Sequence, residues 1–143
     1  MKVLIDTCII IDVLQKREPF VDDSKDIFLL CSQQLFDGFI SAKAMTDIYY
    51  LMHRYTHDDG TTRTKLTSLC VLFNLLVTTK ADVVNALISD AFDYEDAVMI
   101  ETALRNNIDC IVTRNANDYK NSKIKIYEPI DFFRLFKVLN DLG

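Results

Sequence analysis

Glycine and proline are scarce in this chain of 143 residues, at three and two. That scarcity leaves little room for linkers or low-complexity segments, and none is visible. Cysteine is sparse and unclustered: Cys8, Cys31, Cys70 and Cys110 lie far apart, each among apolar residues, with no CxxC or Cys/His group. Such spacing argues against a zinc site and predicts buried, reduced thiols. Apolar runs are only a few residues long, far short of a membrane span, and no basic segment followed by an apolar one opens the chain. A soluble, cytoplasmic protein with no membrane partner is therefore expected. Positive charge is also in deficit. The formal net charge of −5 speaks against a passive nucleic-acid binder, which is usually basic. It does not exclude an enzyme built on carboxylates, because bound cations invert the local field.

What is present is a dense globular composition, half apolar and about a quarter charged. A chain of this length buries roughly two-thirds of its unfolded surface and folds without a disulfide or structural metal. One domain over residues 1–143 is expected. Hydrophobic periodicity predicts strands at Lys2–Ile5, Gly38–Ile40, Val77–Thr79, Asp109–Thr113 and Lys125–Tyr127. Helices are predicted at Ile9–Leu14, Asp22–Leu35, Ala42–Tyr55, Thr61–Leu76, Ala81–Ala91, Tyr94–Asn106 and Ile130–Leu142, with a turn at His57–Gly60. Short strands alternating with helices imply an α/β fold whose mainly parallel sheet is covered on both faces. In such sheets functional groups gather beyond the carboxyl ends of the strands.

Two strand ends deliver polar residues to that edge. Asp6 follows Val3–Leu4–Ile5, and Thr113, Arg114, Asn115 and Asp118 follow Cys110–Ile111–Val112. Taken alone, Asp6 reads more readily as an N-cap of the next helix. Asp96 is more informative. At 100° per residue, Asp93 and Asp96 share the apolar stripe of Ala97, Ile100, Ala103 and Leu104, while Glu95 faces away. A carboxylate on a buried face must be paired, hydrogen-bonded or bound to a cation. Capping explains Asp93 well; it explains Asp96 less well, because the reciprocal capping bond prefers the longer Glu or Gln. Asp47 lies mid-helix at the margin of Ala44, Ile48, Leu51 and Tyr55, where Asp is a poor helix former. Asp6, Asp47, Asp96 and Asn115 or Asp118 would together form a hard-oxygen site suited to Mg²⁺ or Mn²⁺. Such an ion activates water and neutralises charge on a phosphate. His53 and His57 have metal-ligand spacing but no evident third ligand, and read as a solvated face.

Four blocks of the sequence resemble the PIN domain, and within it the VapC-like toxins of bacterial toxin–antitoxin pairs. They are Val3–Thr7 with Ile10–Leu14 and Arg17–Phe20; Ile40–Ser41 with Thr46–Tyr50; Asp93–Ala97 with Ala103; and Ile111–Asn115 with Asp118–Tyr119. They span almost the whole chain in the family's order. The resemblance implies a three-layer α/β/α fold and an Mg²⁺- or Mn²⁺-dependent endoribonuclease. It makes Asp6, Asp96 and Asp47 metal ligands and Asn115 or Asp118 the completing group, with Thr7, Thr113 and Asp93 supporting them. Arg17, Arg114 and Lys120 are candidate contacts to unpaired RNA. The apolar faces of Asp22–Leu35 and Thr61–Leu76 predict a homodimer, and the resemblance implies an antitoxin protein as a further partner. This chain has Asp47 where the family usually has Glu, Cys8 where Asn is frequent, and Asn115 where many relatives have Asp. A PIN-like module that binds RNA or protein without cutting is the alternative these differences leave open. Cys8 departs from the paired aspartates of haloacid-dehalogenase phosphatases, and no acceptor Asp ends the third predicted strand as a receiver domain requires. Asp12 also matches a recurrent family position, and its place in a short helix favours a structural role.

Overall fold

The computed structural model describes residues 1–91, 93–119 and 122–141, without the side chains of 140 and 141. In chain order it runs β1 (Lys2–Ile5), α1 (Thr7–Leu14), α2 (Val21–Ser32), β2 (Asp37–Ser41), α3 (Ala42–Thr56), α4 (Asp59–Leu72) and β3 (Asn74–Leu76). Then come α5 (Lys80–Leu87), α6 (Tyr94–Arg105), β4 (Cys110–Val112), a 3-10 turn (Ala116–Tyr119), β5 (Lys125–Tyr127) and α7 (Pro129–Asp141). The sheet order is β3-β2-β1-β4-β5, and every neighbouring pair is parallel.

Because side chains alternate along a strand, the two faces of the sheet nucleate separate cores. Val3, Ile5, Ile40, Cys110 and Val112 pack with Ile9, Ile27, Ile48, Leu69 and Phe132 from the helices on one side. Leu4, Leu76 and Ile111 pack with Ile100, Ala103, Tyr119 and Ile124 on the other, and α5 joins α6 there through Ala86 against Ala97 and Val98. The result is the three-layer α/β/α fold. Strands added after β1 go first to one side and then, from β4 onward, to the other. Chain order therefore reverses between β1 and β4, and the crevice beyond their carboxyl ends is the usual ligand position in such sheets.

Predicted and observed elements differ most between residues 72 and 79. The helix expected to run to Leu76 stops at Leu72, and Phe73 is extended at φ −115 and ψ 147. The third strand is Asn74–Leu76 instead of Val77–Thr79, paired to β2 through Phe39↔Asn74 and Ser41↔Leu76. Leu69 to Leu76 is apolar nearly all round, so periodicity alone does not separate helix from strand there; pairing with β2 decides it. Gly38 lets this corner close, since a Cβ there would lie 2.7 Å from Cys31 Sγ and 2.8 Å from Phe73 Cδ1. The first long helix ends at Ser32, short of Leu35, and the fifth at Leu87, short of Ala91. All four cysteines are free, but Cys70 is exposed on α4, contrary to the expectation of buried thiols. Among the described residues no helix is long and apolar enough to cross a membrane.

Candidate active site

Asp6 sits where β1 gives way to α1, and its backbone amide still pairs with the neighbouring strand, donating to Val112 O at 3.0 Å. Its carboxylate is held at both oxygens. Oδ1 accepts from the amide of Thr7 at 2.8 Å, as an N-cap does, and Oδ2 accepts from the hydroxyl of Thr113 at 2.7 Å. Thr113 is fully buried at the end of β4 and also accepts from the amide of Asn115 at 3.0 Å. The Cys8 thiol lies 3.7 Å from the same Asp6 oxygen; burial, then the Asp6 charge, pushes it up to about 11. It is a neutral donor at physiological pH. Capping and active-site roles are thus compatible at Asp6: the cap aims the carboxylate across the switch point.

Asp96 reaches the same edge from α6. Asp93 is the N-cap of that helix, accepting from the amide of Asp96 at 3.0 Å, which leaves the Asp96 carboxylate free of capping. Its Oδ1 accepts instead from the hydroxyl of Tyr119 at 3.0 Å. Burial pushes the Asp96 carboxyl up to about 6, partly offset by the Tyr119 hydrogen bond and reinforced by the charges of Asp93, Asp6 and Asp118. Tyr119 is buried, and desolvation, then the charges of Asp6 and Asp96, holds its phenol protonated far into the alkaline range. Four carboxylates therefore share one field, with no ion pair to any of them among the described residues.

The other expected residues are placed differently. Asp47 is exposed on α3 and pairs with Lys43 at 3.6 Å, while Lys43 also approaches Glu95 of α6 at 4.0 Å. No hydrogen bond or ion pair among the described residues ties Asp47 to Asp6 or Asp96; the i, i+4 lysine draws it along its own helix. Asn115 and Asp118 are exposed in the loop after β4. Arg114 is not a free cation for phosphate. Its Nε donates to Asp12 Oδ2 at 2.6 Å and Nη2 to Oδ1 at 3.1 Å, and its guanidinium lies 3.9 Å from the centre of the Phe20 ring. Arg17 is exposed, with Nε donating to Gln15 at 3.1 Å. Lys120 falls outside the described residues. His57 closes α3 in the left-handed region at φ 54, and His53 stacks on Tyr49 with ring centres 5.6 Å apart, so no histidine joins the site.

Two contacts near the candidate site are not legible in the sequence: Tyr119 to Asp96 and Arg114 to Asp12. Each joins residues remote in sequence, and only the fully polar Asp12 in an otherwise apolar Ile9–Leu14 hinted at a buried partner. The donor set fits a hard divalent cation: carboxylates and hydroxyls, without imidazole or thiolate. Mutually repelling carboxylates, one of them half-buried and reluctant to ionise, are what such an ion stabilises. Among the described residues no three acidic, histidine or cysteine side chains already stand close enough to grip a single ion.

No curated protein sequence matches the chain. Among solved structures, VapBC-1 from nontypeable Haemophilus influenzae superposes with a TM-score of 0.68, covering 91% of this chain and 99% of that chain at 16% identity. VapBC2 from Rickettsia felis, bound to a promoter DNA fragment, gives 0.67 over 90% and 98% at 14% identity. The Mycobacterium tuberculosis VapC20, a Sarcin-Ricin loop cleaving toxin, gives 0.60 over 76% and 86% at 10% identity. At these identities the likeness is one of fold. The sequence model of the PIN domain matches residues 2–117, from β1 into the 3-10 turn, and the chain belongs to the PIN domain family.

Proposed function

We propose that this PIN-domain protein is an endoribonuclease dependent on Mg²⁺ or Mn²⁺, acting in the cytoplasm as the toxin of a toxin–antitoxin pair. The observation that carries the reading is the meeting of Asp6 and Asp96 at the β1/β4 switch point, with the Asp96 carboxyl raised to about 6 by burial and by its acidic neighbours. In this reading Asp6 and Asp96 hold the cation, and Asp47, Asn115 and Asp118 complete its surroundings. When bound, such an ion makes water a nucleophile near neutral pH and offsets charge on the phosphate under attack. The protein's own part is orientation. The Thr7 amide and the Thr113 hydroxyl each hold one oxygen of Asp6 and leave a second lone pair on each for a cation, while Tyr119 holds one oxygen of Asp96. Unpaired RNA suits an edge reached between a helix and a loop, because the scissile phosphate must come close to recessed carboxylates.

The toxin assignment draws on the named relatives, which include VapBC complexes and a toxin that cleaves the Sarcin-Ricin loop. An antitoxin and a second copy of the chain are the proposed partners. Val71 on α4 is 86% exposed and Leu29 on α2 51%, and apolar area of this kind marks interfaces on small domains. Other apolar residues of the same segments, Leu69 and Phe73 among them, are buried in the core. The test is cleavage of a single-stranded RNA with and without Mn²⁺, comparing wild type with Asp96→Asn. Cleavage that needs the metal and is lost in the variant is the expected result. Metal-independent cleavage, or equal rates in the two proteins, rejects it.

A further inference from the structure

Asp12 is a fully buried carboxylate that plays no part in the chemistry above, and its partner is the residue directly after Thr113. We infer that the Asp12–Arg114 pair is a positioning device that fixes the loop after β4, so that Thr113 stays on Asp6 and Tyr119 on Asp96; this rests on the nuclease reading.

Beyond the Tyr119 ring, which packs in the second core, the loop has few ties to the rest of the fold. The Thr113 amide still belongs to the sheet, donating to Tyr127 O, but the next backbone bond in the loop, Asp118 N to Asn115 O, is internal to it. The Asn115 amide is likewise satisfied locally, by the Thr113 hydroxyl. Arg114 reaches out of the loop to α1, where both oxygens of Asp12 accept from its fork. Ser24 of α2 donates to the same carboxylate at 3.3 Å, so α1, α2 and the loop meet at one buried group. Phe20 covers a face of the guanidinium, and the Arg114 side chain is left only 24% exposed. A planar, two-pronged contact held between a carboxylate and a ring defines direction as well as distance. Buried ion pairs of this kind return little net stability over an apolar replacement, so geometry is the better account of what this one contributes.

Removing Arg114 alone strands a buried charge, so the informative variant is the neutral pair Asp12→Asn/Arg114→Gln, with Arg114→Lys as the partial case. Three readouts apply: thermal melting, kcat and KM on single-stranded RNA with Mn²⁺, and amide hydrogen exchange over residues 113–119 without metal. The neutral pair should melt cooperatively and lose roughly ten- to a hundredfold in kcat, as a displaced catalytic group does. Its KM should stay within about twofold of wild type, since binding is not what it lost. Exchange in the loop should quicken by about tenfold or more, through local opening, with Arg114→Lys between the two. Wild-type kcat and loop exchange in the neutral pair overturn the inference. So does a raised KM with weakened salt dependence, which would make Arg114 a phosphate contact. If the wild type cuts no RNA, the nuclease reading falls and loop exchange alone decides the positioning role.

Discussion

Replacing Asp96 by Asn should stabilise the metal-free protein above neutral pH and leave it unchanged in acid. Asn keeps the oxygen that accepts from Tyr119 and removes only the charge. In the native state the Asp96 carboxyl sits at about 6, against an ordinary 3.8, chiefly because burial disfavours the anion. A carboxyl raised on folding favours the native state while protonated and works against it once ionised. The penalty is therefore absent below the ordinary value, grows as pH rises between the two values, and is complete above about 6. Its upper bound is roughly 3 kcal/mol at 1.36 kcal/mol per tenfold shift in proton affinity. For a partly exposed group, solvent screening brings this to about 1 to 2 kcal/mol. For a domain of this size that corresponds to a rise in Tm of roughly 3 to 8 °C. The assay is thermal melting of both proteins in chelator at low salt from about pH 4 to about pH 8. The difference should open between about pH 4 and pH 6, and high salt should narrow it. A variant that melts with or below wild type at about pH 8, or one stabilised equally at both extremes, refutes the reasoning.

Tyr119→Phe should lower stability by about 1 kcal/mol through the lost hydrogen bond and push the Asp96 carboxyl higher still, read as a larger melting gap at alkaline than at acid pH. Gly38→Ala should cost about 1 to 3 kcal/mol through overpacking against Cys31 and Phe73, seen as a lower urea midpoint with an unchanged slope. Arg105→Met should also lower stability, because Asp82, 3% exposed at its side chain, loses its ion-pair partner at 3.0 Å and keeps only the Thr79 amide and the Thr102 hydroxyl as donors; calorimetry measures the loss directly.

The sequence carried the layers and the edge on which the candidate site lies, because alternation and helical period report burial directly. Val3 and Ile5 against Leu4 divide the two cores as alternation requires. Asp96 was legible for the same reason: a carboxylate on an apolar stripe must sit at a boundary, and it does. What was hidden depends on contacts between distant residues. The strand at Asn74–Leu76 exists because β2 offers it a partner, while its own sequence suits a helix equally well. Arg114 looked like a surface cation until its partner 102 residues away was known. Asp47 shared the margin of an apolar stripe, yet an exposed lysine one turn earlier holds it. Tyr119 stood in plain sight in the fourth block of family residues, but nothing local told that its hydroxyl would face Asp96.

The central claim is that Asp6 and Asp96 act as one hard-cation site, and Mn²⁺ binding in the absence of RNA tests it most directly. Titration calorimetry should show Mn²⁺ binding to the wild type that is strongly weakened in both Asp6→Asn and Asp96→Asn. The same Mn²⁺ should raise the melting temperature of the wild type alone, by roughly 2.7 kcal/mol of added stability at a hundred times the dissociation constant. Mn²⁺ affinity that is undiminished when either carboxylate is neutralised, in variants that remain folded, contradicts the account.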